Sequence, residues 1–274
     1  MMNMRGGCSL QVSILASGSK GNSVYVELDG VRLLVDAGIS AARITKGLRA
    51  RGVEPQSLDA VLVTHEHIDH IRAVGTISRR YGIPIYGTLA TLRETLLSKS
   101  LGDFDRGLLH PILPDQSIRI ASLEILPFSI DHDAADPVAY RVRSGEKCAA
   151  VTTDLGHFDD YICGHLRDLD AVLIEANHDP RMLADGPYPL PLKRRILSDK
   201  GHLSNEISGK LIDTILHPGL KHIFLGHLSE ENNLPELALR TVREVIDRSE
   251  SGNRSEGLSI SVAKRHVVSE IIEF

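Results

Sequence analysis

The densest chemistry in the chain is the run Thr64-His65-Glu66-His67-Ile68-Asp69-His70, which packs three imidazoles and two carboxylates into six positions. An extended segment sends alternate side chains to opposite faces, so His65 and His67 share one face. Asp69 and His70 fall at the turn into a following helix and can look into the same pocket. Imidazole nitrogen and carboxylate oxygen together suit zinc, iron or manganese. A solvated histidine-rich loop is the bland alternative. The short, largely apolar run Leu58–Val63 just upstream argues against it, because side chains at the end of a buried strand project into a site.

The surrounding pattern must place that run. Leu10–Ala16, Ser23–Leu28 and Val31–Val35 read as strands, with Ser17-Gly18-Ser19-Lys20-Gly21-Asn22 a turn and Asp29-Gly30 a hairpin. Residues 40–51 have helical spacing, and so do 70–81 and 88–99, with a strand over 83–86 between the last two. Residues 101–116 read as loop, with Pro111 and Pro114. Strands follow over 117–130, 137–144, 147–153 and 170–174. The proline-rich stretch 178–202 reads as irregular, and a long loop in a compact domain is usually functional. Helices over 204–216 and 234–248 flank a strand over 221–225, and the polar loop 249–257 leads to two short end strands. The duplicated order, strands then helices twice over, predicts two sheets face to face with helices outside: an αββα four-layer sandwich, one domain over residues 1–274.

Composition narrows the class. A 274-residue chain that is 42% hydrophobic and 24% charged fits one large α/β enzyme domain. No apolar run approaches the roughly 20 residues of a membrane span, so no membrane partner is expected. The N-terminal stretch carries one arginine and an apolar run that breaks at Gly18, which predicts no signal peptide and a cytoplasmic protein. Net charge of −5 gives no global pull on nucleic acid, so an anionic substrate must be held locally. Cys8, Cys148 and Cys163 are scattered and suit reduced thiols.

The run resembles the HxHxDH signature of the metallo-β-lactamase superfamily, and the resemblance extends along nearly the whole chain in order. It implies that His65, His67 and His132 bind one divalent metal ion, that Asp69, His70 and His227 bind a second, and that Asp154 bridges them. Each of the later three has a plainer alternative. His132 could sit exposed in a turn, Asp154 could cap a helix, and His227 could be a strand-end histidine with His202 as its rival. Longer strings, Ser17–Ser23, His132-Asp133-Ala134, Glu175-Ala176-Asn177-His178-Asp179 and Gly201-His202-Leu203-Ser204-Asn205, are similar to the YycJ/WalJ-type group within the superfamily. That group implies a DNA exonuclease acting 5′ to 3′, with DNA as substrate and DNA-repair or replication partners. The chain lacks the large cap insertion of the β-CASP nucleases.

The chemistry can be argued on its own. Two divalent ions carry four positive charges, of which Asp69, Asp154 and a hydroxide remove about three, leaving a centre that attracts phosphate. Water between the ions loses its proton near neutral pH and attacks the phosphodiester. The leaving alkoxide needs a proton, and His202 is the expected acid, with Glu175 orienting it and favouring its charged form. This pair resembles that of ribonuclease Z-like enzymes. Helix capping is the alternative for His202, although Ser204 can do that instead. Asp36 is expected to bond a ligand histidine and fix its tautomer. Asn22 lines the pocket floor or belongs to a tight glycine turn.

The basic run Lys193, Arg194, Arg195 and Lys200 precedes His202, and either holds a nucleic-acid backbone, together with Ser204 and Asn205, or is solvated surface. Tyr188 either stacks on a base or packs on the proline-rich loop. Arg43, Lys46, Arg49, Arg51, Arg79 and Arg80 read as solvated helix surface. Against the nuclease stand a small-molecule hydrolase of the same fold, foremost a cyclic phosphodiesterase, and an inactive scaffold. His70 argues against a lactamase, and the full ligand set argues against a scaffold.

Overall fold

The computed structural model describes residues 9–98, 101–249, 257–265 and 267–273. The first half of the chain runs β1 (Leu10–Ala16), β2 (Ser23–Leu28), β3 (Val31–Val35), α1 (Ala41–Arg49), β4 (Ala60–Leu62), α2 (Ile68–Ile71), α3 (Val74–Tyr81), β5 (Ile85–Thr88), α4 (Leu89–Leu97) and β6 (Leu109–Ile112). The second half runs β7 (Ile118–Ile120), β8 (Leu123–Ser129), β9 (Val138–Ser144), β10 (Lys147–Thr152), α5 (Asp160–His165), β11 (Ala171–Glu175), α6 (Pro180–Asp185), α7 (Leu190–Ile196), α8 (Asn205–Ile215), β12 (His222–Gly226), α9 (Pro235–Arg248) and β13 (Ser259–Val262), before β14 (Ile272–Glu273). The strands form two seven-stranded sheets, ordered β14-β1-β2-β3-β4-β5-β6 and β13-β12-β11-β10-β9-β8-β7.

Each sheet changes character partway. Antiparallel pairing among β1, β2 and β3 gives way to parallel pairing through β4, β5 and β6. Antiparallel β7 to β10 likewise give way to parallel β11, β12 and β13. The reason is local: Asp29 and Gly30 both take positive φ, 52° and 77°, as a two-residue hairpin requires, whereas later strands are joined through helices.

Strand alternation builds the layers. Leu33 and Val35 point into the core between the sheets with Tyr140, Val151 and Phe224, while Leu34 points outward against Ile44 and Leu48 of α1. On the other outer face, Ile174 and Leu225 pack against Leu211 and Ile215 of α8 and Val242 of α9. A fully buried side chain of this size contributes about 1.5–3 kcal/mol. The expected αββα sandwich is the architecture observed. Among the described residues, no helix is long and apolar enough to cross a membrane.

Several elements differ from the sequence expectation. The helix expected over 70–81 is two helices, because Ala73 donates its N–H to Ala37 O at 2.7 Å, outside the helical ladder. The loop expected over 101–116 contains β6, where Pro111 is tolerated because the strand lies at the sheet edge. The strand expected over 117–130 is the hairpin of β7 and β8, turned at Ala121 with φ 49°. The stretch 178–202 is not irregular: Asp179 caps α6 ahead of Pro180, and Pro189 precedes α7. Proline at the start of a helix loses no intrahelical bond, so it begins these helices. Most of the loop expected over 249–257 lies outside the described residues.

Candidate metal centre and active site

Most of the site leaves the carboxyl end of a parallel-paired strand or the loop that follows it. β3 delivers Asp36, β4 delivers the histidine run, β10 delivers Asp154, β11 ends in Glu175 and β12 delivers His227. Open parallel sheets gather ligands at this end of their strands. Asp36, Asp154 and His227 all adopt left-handed backbone, with φ of 59°, 59° and 53°. That conformation costs a non-glycine residue about 1–3 kcal/mol and persists only where surroundings enforce it. Here Asp36 N–H donates to Leu62 O at 2.8 Å, Asp154 N–H to Glu175 Oε2 at 2.8 Å and His227 N–H to Ser17 Oγ at 2.7 Å.

The histidine run is locked to its neighbours through backbone. Asn22 N–H donates to Asp69 O at 2.7 Å, Ala37 N–H to His70 O at 2.8 Å and Gly38 N–H to Asn22 O at 2.8 Å. The approach is so close that a Cβ on Gly38 would stand 1.5 Å from Asp69 O. Only glycine fits there.

The donor atoms form overlapping groups. His65, His67 and His132 bring one nitrogen each to within 4.8 Å of one another, and so do donors of Asp69, His70 and His227. Asp154 lies between the two groups: Oδ2 is 3.1 Å from His70 Nε2, and Oδ1 is 3.4 Å from His227 Nε2 and 3.7 Å from His132 Nε2. His65 Nε2 and His67 Nδ1 converge at 3.1 Å. The alternative of an exposed His132 is excluded, since it is 4% exposed. His227 Nε2 and Asp154 Oδ2 are buried with no hydrogen bond of acceptable geometry, an arrangement that native interiors avoid. A cation would satisfy both, so the donor set fits divalent metal ions.

The electrostatics of His65 and Asp154 agree. Burial pushes the His65 imidazole well below its ordinary value, helped by His70, leaving a neutral ring with a lone pair to give. Burial works against ionisation of Asp154, but His227 and His70 overcome it and hold the carboxyl well below the usual range. Asp36 accepts from Thr64 N–H and Thr64 Oγ1, each at 2.8 Å, and meets His70 Nδ1 at 2.7 Å. It thereby fixes the His70 ring with Nε2 toward Asp154.

Glu175 is fully buried, and its Oε2 lies 3.2 Å from both His202 Nδ1 and His227 Nδ1. Burial raises its carboxyl, and the two histidines more than offset this, holding it below its ordinary value. Its Oε1 accepts Leu203 N–H. One carboxylate therefore ties β11 to both histidines. Sequence reasoning paired Glu175 with His202 alone and missed its hold on His227.

A hollow of about 150 Å³ opens beside His202 and His227, walled by Tyr188, Leu192 and Arg195. Arg195 is bonded to Asp133, beside His132. Asn22 reaches the centre, with Nδ2 2.9 Å from His70 Nε2 and Oδ1 2.9 Å from Gly18 N. Three residues expected at the substrate are placed elsewhere. Lys193 turns away to bond Ala184 O at 2.6 Å. Ser204 caps α8, accepting Ile207 N–H at 3.3 Å. Asn205 is fully buried and exchanges amide hydrogen bonds of 2.8 and 3.0 Å with Asn233. Sequence reasoning named Asn177 only within the string Glu175–Asp179 and gave it no role; its amide donates to His227 O at 2.9 Å and it lines the hollow. Its only sequence signal was its place next to Glu175-Ala176.

Comparison with known proteins agrees with this geometry. The family model described as a β-lactamase superfamily domain matches residues 31–223. The chain is 42% identical over 240 residues to the exodeoxyribonuclease WalJ of Streptococcus pneumoniae serotype 2, covering 88% of this chain and 89% of that protein. It is 35% identical over 243 residues to the exodeoxyribonuclease YycJ of Bacillus anthracis, covering 89% and 91% respectively. The fold matches the crystal structure of the metallo-β-lactamase fold protein YhfI from Bacillus subtilis with a TM-score of 0.70 at 19% identity, over 96% of this chain and 99% of that one. The chain belongs to the metallo-β-lactamase superfamily, in the family that holds WalJ and YycJ.

Proposed function

We propose that this protein is a divalent-metal-dependent phosphodiesterase that degrades DNA as an exonuclease. The observation that carries the proposal is the convergence of two donor groups, His65/His67/His132 and Asp69/His70/His227, on Asp154, beside a Glu175–His202 pair that opens to a hollow. Zinc, manganese or iron would be held by these two groups, with Asp154 able to contribute to either. Bound there, they supply a water-derived nucleophile at neutral pH and neutralise charge on the phosphoryl oxygens. The names of the relatives, both exodeoxyribonucleases, support DNA as the substrate, and 5′-to-3′ polarity rests on the resemblance of the sequence strings alone. Chain length supports a single-domain enzyme without a β-CASP cap, and the resemblance supports DNA-repair or replication partners.

The chain's own residues then have distinct tasks. Asp154, Asp69 and the histidines hold the cations. Asp36 keeps His70 in one orientation. Glu175 holds His202 by Nδ1, which leaves Nε2 to donate a proton to the leaving alkoxide. Arg195 and Tyr188 line the path of the strand.

The rival reading is a cyclic or other small phosphodiester, to which the hollow lends no specific support, since about 150 Å³ is below the usual range for small-molecule pockets. Metal-supplemented digestion of end-labelled single- and double-stranded DNA, beside bis-p-nitrophenyl phosphate and with Asp154→Ala as control, separates the two. Progressive shortening from one end, absent in the variant, supports the nuclease and gives polarity. Hydrolysis of the small diester alone overturns it.

A further inference from the structure

The turn between β1 and β2 has two sides. On one, Ser17 Oγ accepts His227 N–H at 2.7 Å, Asn22 Nδ2 lies 2.9 Å from His70, and Ser19 lines the active-site hollow. On the other, Ser19 and Lys20 line a second, much smaller hollow of about 10 Å³ with Arg43 and Arg265. Ser229 borders the first hollow and its neighbour Glu230 the second, so the two hollows adjoin across one turn.

The charge in the second hollow is only partly neutralised, by Glu230 on its wall. Lys20 pairs with Glu230. Among the described residues, neither Arg43 nor Arg265 has a carboxylate within ion-pair distance, in a chain whose net charge is −5. Arg265 is nevertheless held in place. Its Nε and Nη2 donate to Leu228 O at 3.4 Å, and Nη2 also donates to Ser229 O. Its stem lies against Gly18, where a Cβ would stand 3.2 Å from Cγ. Arg43 donates by Nη2 to Arg265 O at 3.2 Å, which ties the two arginines together. Pinned arginines with donors to spare lose little freedom on binding and match a phosphate in forked geometry.

We infer that Lys20, Arg43 and Arg265 form a phosphate subsite that holds the substrate strand beyond the bond being cleaved. The inference rests on the nucleic-acid reading above, and it gives a ligand to Arg43, which is exposed on α1 as expected. The ligand is a phosphate of the strand, either its terminal monoester or an internal diester.

The test uses the full-length, metal-loaded protein as Arg43→Glu and Arg265→Gln, with Arg240→Glu on α9 as a control for net charge. KM and kcat are measured on oligonucleotides carrying a 5′-phosphate or a 5′-hydroxyl, and affinity is followed against salt. The subsite requires KM to rise about tenfold in Arg43→Glu, kcat to fall by less than KM rises, and the salt slope to drop by about one for each phosphate no longer neutralised. A rise confined to 5′-phosphorylated strands identifies the terminal phosphate, and an equal rise on both identifies the internal backbone. Folded variants with unchanged KM and salt slope, in an enzyme that does shorten DNA, sink the subsite and leave the nuclease standing. A wild-type protein that leaves DNA intact sinks the nuclease reading itself.

Discussion

Asp154 and His202 lie 3.6 Å apart and could share a donor group with Glu175 and His227, yet the proposed function gives them different work. Asp154 is 2% exposed and touches histidines of both donor groups, so its removal takes away the carboxylate on which both groups converge. Asp154→Ala is expected to lose metal, read by elemental analysis, together with essentially all hydrolysis. His202 lines the hollow and is held by Glu175 instead. For His202→Gln, metal content should stay near the wild-type value while kcat falls by about 10²–10⁴, the range of a positioned general acid. Substrates with a good leaving group, such as bis-p-nitrophenyl phosphate, need no proton there and should lose far less. Loss of metal in His202→Gln would instead make it a ligand. At this scale the sequence was informative where chemistry is dense. The run 64–70 announces itself, whereas the hold of Glu175 on His227, at 3.2 Å, joins residues 52 apart and leaves no local signal.

At the scale of elements, strands carried readable alternation and the breaks did not. The split between α2 and α3 depends on Ala73 reaching Ala37 O, a tertiary contact that overrides helical spacing. Proline misled in both directions: Pro111 sits in an edge strand, and Pro180 starts a helix. The left-handed ends of β3, β10 and β12 were equally hidden, since aspartate and histidine there do not advertise positive φ as glycine does. The interlock of the β3–α1 turn with the histidine run has a sharp consequence. Gly38→Ala adds a Cβ that would stand 1.5 Å from Asp69 O, and only backbone movement can relieve the overlap. Because Asp69 and His70 ride on that backbone, the variant is expected to lose ions of the Asp69/His70/His227 group first, at a cost in thermal stability. Wild-type metal content with an unchanged melting temperature would show that the turn yields more easily than this packing implies.

For the whole molecule, the site joins the two sheets, drawing Asp36 and His65 from one and Asp154 and His227 from the other. Cation removal should therefore loosen the fold as well as stop the reaction. Ions at 100 times their Kd stabilise by about 2.7 kcal/mol, which for a chain of this size corresponds to a fall in Tm of roughly 5–10 °C on chelation. A second pH-dependent contribution lies away from the metal centre, at the start of β12. Burial pushes the His222 imidazole down to about 4 from 6.5, and its Nε2 lies 2.8 Å from Ser261 Oγ of β13. A folded pKa below the unfolded one means that the unfolded chain takes up the proton first. The stability due to a neutral His222 is thus fully present above about 6.5 and is lost as pH falls toward 4. Acid also strips metal, so the comparison belongs to chelated protein. His222→Gln keeps a polar group for Ser261 but cannot titrate, and its Tm should fall less steeply than that of wild type between these two pH values. Parallel Tm curves would mean that His222 is protonated in the fold without penalty, and that the acid sensitivity of the protein resides in the carboxylates and histidines of the metal centre.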